Sequence, residues 1–245
     1  MRMVREREHT ARNVDSARMS DRTLIMRLRR IETAAISDAM EPSKAAMDSG
    51  IKSIIGKTKI VGPALTVRCI PGDELTLGKA INLAKKGDVI VVDASGVKEA
   101  ALMGGIGFGF CWQKQVEGVV LDGVTRDQEE LIDYGFPVFA RGTVPASAVS
   151  SSMGEINVPI QCGGVVVKPG DLIIGDPDGV VVIPSEQAQR VVVIAEKISH
   201  LDDEAIELIK GKVQPAEIKK RISKKQDEIK RLKMKLLGRR LETHW

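Results

Sequence analysis

Four short segments constrain the fold before anything else does: VIVV at Val89–Val92, GVVLD at Gly118–Asp122, LIIG at Leu172–Gly175 and VVVI at Val180–Ile183. Each is a continuous run of β-branched or aliphatic residues, too short for a helix and bounded by turn formers. A strand with one wet face alternates polar and apolar residues. These do not alternate, so both of their faces are covered, as in parallel sheets flanked by helices. Aromatics make up only 3% of the chain, so Val, Ile, Leu and Ala must fill the interior.

The elements between these strands are helical. Leu24, Leu28, Ile31, Ala35 and Ala39 recur at helical spacing, which predicts a helix over Thr23–Met40 with a break at Pro42. KIVGPALTVRC, Lys59–Cys69, reads as a strand with a Gly-Pro kink, and Gln128–Tyr134 as a short helix closed by Gly135. Val165–Val167 is a further strand, FPVFARG another, and Gln187–Lys210 a long helix. Helix and strand thus alternate through an α/β domain at 23–215, preceded by a basic extension at 1–22 and followed by a basic helical tail at 216–245. Ile222, Ile229, Leu232 and Leu236 give that tail a narrow apolar stripe, suited to a coiled coil or to docking on a neighbouring subunit.

No apolar run reaches the roughly 18–20 residues of a membrane span, and the N-terminal MRMVREREHTARN lacks the apolar centre of a signal peptide. A cytoplasmic protein is expected. Cys69, Cys111 and Cys162 are widely spaced and odd in number, which indicates neither a zinc site nor a disulfide framework. The net charge of +4 is uneven: residues 1–30 carry +5 and residues 217–245 carry +7, leaving −8 on the body between them.

Two motifs follow predicted strands, and the second sits at a strand's carboxyl end, where ligands bind in open α/β sheets. The first is MGGIGFGF, Met103–Phe110. It imitates a dinucleotide loop but has Phe110 where the third glycine would stand, and it begins some ten residues after the strand. A small-anion nest of backbone N–H groups is the functional alternative, and tight packing the structural one. The second is DGVTRD, Asp122–Asp127. Asp127 is placed to cap the helix at Gln128, with Glu130 three residues on. It is equally a candidate oxygen ligand for a hard cation, with Arg126 gripping a carboxylate or keto oxygen. His9, His200 and His244 lie away from the strand ends, and Lys98 is the lysine nearest the glycine loop, a weak Schiff-base candidate.

The ensemble GDVIVVD, ALMGGIGF, GVVLDGVTRDQEELIDYGFPVFARG and GDLIIGDPDGVVVIP resembles the RraA-like family over roughly Ile31–Lys210. That family includes class II 4-hydroxy-4-methyl-2-oxoglutarate aldolases, which also decarboxylate oxaloacetate, and its namesake inhibits a ribonuclease. The resemblance implies a compact α-β-β-α sandwich of the swivelling β/β/α type, assembled as a homotrimer or hexamer. It implies a lyase that cleaves the C3–C4 bond of a pyruvyl-containing keto acid through a metal-stabilised pyruvate enolate, with Mg2+, Mn2+ or another divalent cation as cofactor. By resemblance, the N–H groups of Gly104, Gly105, Ile106 and Gly107 bind the substrate carboxylate, Arg126 contacts the substrate, and Asp127 is the protein's metal ligand. Asp202, Asp203 or Glu204 would complete a neighbouring site. Gly105 departs from the family pattern, where an acidic residue often stands. The implied alternative is a non-catalytic regulator of ribonuclease activity. The basic ends lie outside the resemblance, and their charge alone suits RNA or a protein partner.

Overall fold

The computed structural model describes residues 22–40 and 45–237. Helix α1 covers residues 22–28 and helix α2 Thr33–Ala39. Strand β1 is Lys52–Ser53, β2 Ile60–Arg68, and helix α3 Leu75–Leu83. Strand β3 is Val89–Asp93, helix α4 Gly105–Gln113, strand β4 Gly118–Asp122, helix α5 Gln128–Tyr134 and strand β5 Val138–Ala140. Strands β6 (Glu155–Ile156), β7 (Ile160–Cys162), β8 (Val165–Val167), β9 (Leu172–Asp176) and β10 (Gly179–Ile183) follow. Helices α6, Ala188–Lys210, and α7, Pro215–Leu237, close the described chain.

The main sheet runs β1-β5-β4-β3-β2-β9-β10, with β6 also pairing to β2. Strands β2 to β5 are mutually parallel, and β9 and β10 continue the sheet antiparallel. Strand β2 joins the two halves: Ile60–Pro63 pairs with β9 and Ala64–Arg68 with β3. The Gly-Pro step falls at this change of partner. Proline has no N–H to offer a ladder, and a Cβ on Gly62 would lie 2.3 Å from the Gly87 carbonyl oxygen. The sheet curls until its ends meet. Met47 N–H donates to the Val180 carbonyl at 2.9 Å, and the Lys52 ammonium donates to the Asp178 carbonyl at 2.5 Å.

Curling gives each central strand two buried faces, which explains the unbroken apolar runs. In β3, Val89 and Val91 point into an inner core, while Ile90 and Val92 pack outward beneath α3 and α4. In β10, Val180 and Val182 point inward, while Val181 and Ile183 pack under α2 and α6. The β7–β8 hairpin closes the inner core with Ile160, Cys162, Val165 and Val167. The layers are therefore helix, sheet, sheet and helix, as expected. Each fully buried Val, Leu or Phe contributes about 1.5–3 kcal/mol, and Phe108, Phe136 and Phe139 are among the largest of them.

Two expectations need correction. The helix expected over Thr23–Met40 is two helices, interrupted at residues 29–32. The cause is tertiary: buried Asp176 accepts from the Thr33 N–H and hydroxyl, both at 2.7 Å, and so starts α2 afresh. The expected break at Pro42 lies outside the described residues, as do residues 1–21 and 238–245 of the basic ends. The apolar stripe of the tail meets its own chain: Ile229, Leu232 and Leu236 pack against the α2–α6 core. Lys233 of α7 donates to the Asp38 and Met40 carbonyls at 2.6 and 2.5 Å, at the C-terminal end of α2. Among the described residues, no helix is long and apolar enough to cross a membrane.

Candidate active site

The carboxyl ends of the parallel strands β2, β3, β4 and β5 lie side by side, and the segments that follow them, α3 included, build one cavity of about 630 Å³. Residues 101–105 and 123–127 are laced together there. Leu102 N–H donates to the Val124 carbonyl at 3.2 Å, Arg126 N–H to Met103 at 3.3 Å, and the Thr125 hydroxyl to Met103 at 2.8 Å. The lacing brings the start of α4 against the start of α5, so the two sequence motifs become one site.

Asp127 has φ +60°, the left-handed region, which costs a non-glycine residue about 1–2 kcal/mol. Such strain clusters where function needs a side chain aimed against local preference. The expected capping of α5 by this side chain is not what occurs: it makes no bond to its own helix. Instead, Asp127 Oδ2 accepts the Gly105 N–H at 2.9 Å, across the cavity floor, and faces Arg126 Nε at 3.6 Å. The Arg126 guanidinium is turned to the Ser147 hydroxyl, to which it donates.

This arrangement changes the expected anion nest. Of the N–H groups at 104–107, that of Gly105 goes to Asp127. Those of Ile106 and Gly107, in the first turn of α4, have no acceptor in the helix. Gly104 is required by contact rather than by conformation, since a Cβ there would fall 2.3 Å from Asp127 Oδ2. Gly105 lies against Glu130, whose Cβ would be 3.0 Å from an added Cβ. The stem of Glu130 occupies the space into which a longer side chain at 105 would grow.

Several groups are excluded. Burial pushes the Cys69 and Cys111 thiols up to about 12 and the Cys162 thiol well above its usual range, so none is a ready nucleophile. Lys98 is exposed and does not line the cavity, which removes the motive for a Schiff base there. Among the described residues no histidine lines the cavity, and His200 sits on α6. Among the described residues no cluster of three or more His, Cys, Asp or Glu exists. A metal held by several protein ligands does not fit. A hard cation held through one carboxylate, with most of its water retained, does fit: Asp127 Oδ1 has no protein partner among the described residues.

Sequence reasoning missed Ser147 and the anchor of its segment. Residues 143–152 have no periodicity and dock through isolated bridges, Ala101 to Ser147 and Asp73 to Val149. The buried Asp73 carboxylate fixes them. It accepts from Leu75 N–H at 3.0 Å, Ser151 N–H at 2.9 Å and hydroxyl at 2.8 Å, and Ser152 N–H at 2.7 Å. An aspartate two residues before the apolar run LTLGKAI is a capping signal that would have drawn attention to it. These donors, Leu75 first, hold the Asp73 carboxyl down at about 2, below its usual value near 4.

Because the folded pKa is the lower one, Asp73 contributes stability that is complete above about pH 4 and lost as pH falls towards 2. Asp73→Asn should therefore be less stable than wild type at pH 7, with the deficit shrinking towards pH 2.5. Urea midpoints at both pH values measure this, and a deficit independent of pH would refute it.

Comparison with known proteins gives three kinds of likeness. Residues 33–182 match the family model described as RraA-like, Aldolase/RraA. A provisionally named 4-hydroxy-4-methyl-2-oxoglutarate aldolase from Halalkalibacterium halodurans is 43% identical over 183 residues, 75% of this chain and 86% of its own. The 4-hydroxy-4-methyl-2-oxoglutarate aldolase of Thermus thermophilus is 32% identical over 62% of this chain and 92% of its own. The crystal structure of an unusual member of the RNase ES inhibitor RraA protein family from Streptomyces coelicolor superposes with a TM-score of 0.66. It has 30% identity and covers 78% of this chain and 96% of that one.

Proposed function

The chain belongs to the RraA-like family, and on that premise we propose that it is a divalent-metal-dependent lyase cleaving the C3–C4 bond of a pyruvyl-containing keto acid. The names of its relatives support an aldolase-type function. One observation carries the finer reading: a strained carboxylate, an arginine and two acceptorless N–H groups meet on one cavity floor.

A divalent cation, Mg2+ or Mn2+, when held at Asp127 with its water shell, supplies Lewis-acid chemistry at the keto oxygen. The protein's own groups do the rest. The Ile106 and Gly107 N–H groups and the positive end of α4 receive the C1 carboxylate. Arg126, its fork fixed by Ser147, meets a second oxygen and offsets the negative charge that grows as the C3–C4 bond breaks. The same charge develops whether the departing fragment is a keto acid or CO2, so retro-aldol cleavage and oxaloacetate decarboxylation use one site. With no histidine among the described residues of the cavity wall, water held against Arg126 and Asp127 carries the proton.

The cavity opens beside exposed Ile106 and Phe110, and Leu83 and Trp112 are exposed at the ends of α3 and α4. Apolar surface of this kind marks an assembly face, which supports a homotrimer or hexamer. Of the three late-helix acids, Glu204 accepts Lys225 of its own chain. Asp202 and Asp203 are exposed and available to a neighbouring copy.

Oxaloacetate decarboxylation measured with Mg2+, after EDTA and after Mg2+ is restored tests the proposal. Turnover should vanish with EDTA and return with the metal. A folded protein whose turnover is absent, or unaffected by EDTA, would overturn it. Inhibition of a ribonuclease in the absence of turnover would favour the regulatory reading that the Streptomyces relative suggests.

A further inference from the structure

Helix α7 lies beyond residues 33–182, the part matched by the family model. Its apolar face is occupied: Ile218 is buried, and Ile229, Leu232, Leu236 and Leu237 pack on the α2–α6 core. Three of its cations are also engaged. Arg221 pairs with Glu217, Lys225 with Glu204, and Lys233 with the α2 carbonyls.

The opposite face is different. Lys220, Lys224, Arg231 and Lys235 are exposed, and among the described residues none has an ion pair. Their spacing of four, seven and four residues keeps them in line on one side of the helix, over roughly 22 Å at 1.5 Å per residue. Lys219 and Lys230 add charge beside the line, and Asp227 and Glu228 are the two acids in its gap, which leaves the row net positive. A second feature points the same way. Helix α1, at the other end of the chain, packs on the same core through Ile25, so exposed Arg22 and Arg30 come to the same helical layer. Among the described residues, exposed cations from both basic segments thus lie in one helical layer. The cavity is built on the other helical layer, around α3 and α4.

We propose that this outer face of α7 binds the phosphate backbone of single-stranded nucleic acid. Phosphates need only cations, and a flexible strand can lay successive phosphates along a straight row of them. Protein partners are held mainly by aromatic and arginine anchors, and the row offers only Arg231 and a partly exposed Met234. Insertion into a membrane would need the apolar face of α7, which the core already covers. With no stacking aromatic on the described part of α7, binding reads charge rather than sequence.

The test is fluorescence anisotropy of labelled oligouridylate and oligodeoxythymidylate with the full chain, at about 50 and about 200 mM salt. Four backbone contacts predict a log–log salt slope of about −3, hence roughly 50-fold weaker binding at the higher salt. Both oligonucleotides should bind alike. Joint Lys220→Glu, Lys224→Glu, Arg231→Glu and Lys235→Glu substitution should weaken binding by at least about ten-fold at the lower salt. The corresponding glutamine variant should also weaken it, which guards against a folding artefact, and both variants should keep wild-type lyase turnover. Asp127→Asn should bind as wild type does, so this result is independent of whether the cavity is catalytic. Unchanged binding by the variants, a flat salt slope, or equal affinity for polyglutamate or anionic vesicles would overturn the proposal.

Discussion

Asp127→Asn should sharply reduce metal-dependent turnover while leaving the fold in place. Asparagine tolerates the left-handed conformation nearly as well as aspartate does, so the φ of +60° adds little new strain. Its amide oxygen can still accept the Gly105 N–H that Asp127 accepts at 2.9 Å. The ion pair with Arg126 is partly exposed and contributes little to stability. What the variant loses is the anionic oxygen for a hard cation. If the cation supplies about 3–4 kcal/mol of transition-state stabilisation, turnover falls by about 10²–10³-fold. Mn2+ affinity, measured by electron paramagnetic resonance, should fall as well, while the melting temperature stays near that of wild type. Unchanged Mn2+ affinity would remove Asp127 from the metal site. Asp127→Ala is the harsher control: it also leaves Gly105 without its acceptor and forces alanine into the left-handed region, at about 1–2 kcal/mol.

How much of this was legible in the sequence depended on the range of the interactions. Strand β4 and helix α5 lie where the residues place them, and Gly135 closes α5 with φ +60° as expected. Local rules sufficed for these because burial on both faces and C-capping leave residue-level marks. The interruption between α1 and α2 was not legible, since the group that starts α2 afresh is Asp176, 143 residues away. The site shows the same limit. Arg126 and Asp127 are adjacent, and their chemistry could be read from their types. That the Asp127 side chain crosses to Gly105, 22 residues upstream, could not. Local preference favoured a cap on the following helix; the packing of α4 against α5 favoured the cross-contact instead. Ser147 carried no mark at all, because its role depends on a segment held by isolated bridges and by Asp73. The reading of the tail was limited in the same way: the stripe was visible in the sequence, but which surface it met was not.

Gly104→Ala should separate the two readings of the glycine cluster, packing and function. The added Cβ would lie 2.3 Å from Asp127 Oδ2, 2.9 Å from Arg126 Nε and 3.1 Å from Arg126 Cγ. All three atoms belong to partly exposed side chains rather than to backbone, so they can swing aside. The φ of −130° at Gly104 suits any residue. The fold should therefore lose no more than about 1 kcal/mol, near what a poorer N-cap residue costs. The site should lose much more. Clearing the new methyl moves Asp127 Oδ2 by roughly 1 Å, a displacement that can cost about 10²-fold in rate. Gly105→Ala is the contrast. Its Cβ would meet Glu130 Cβ at 3.0 Å and Asp127 Cβ at 3.4 Å, so tenths of an ångström suffice and the carboxylate stays in place. Alanine is also the better helix former by up to about 1 kcal/mol, which offsets the tighter contact with Glu130. Kinetics and thermal melts on the two variants should therefore diverge, with Gly104→Ala low in turnover at near-normal stability and Gly105→Ala close to wild type in both. Equal losses in both measurements would mean that the glycines serve close packing of α4 against α5, and that the carboxylate held at the start of α4 is not the reacting end of the cavity.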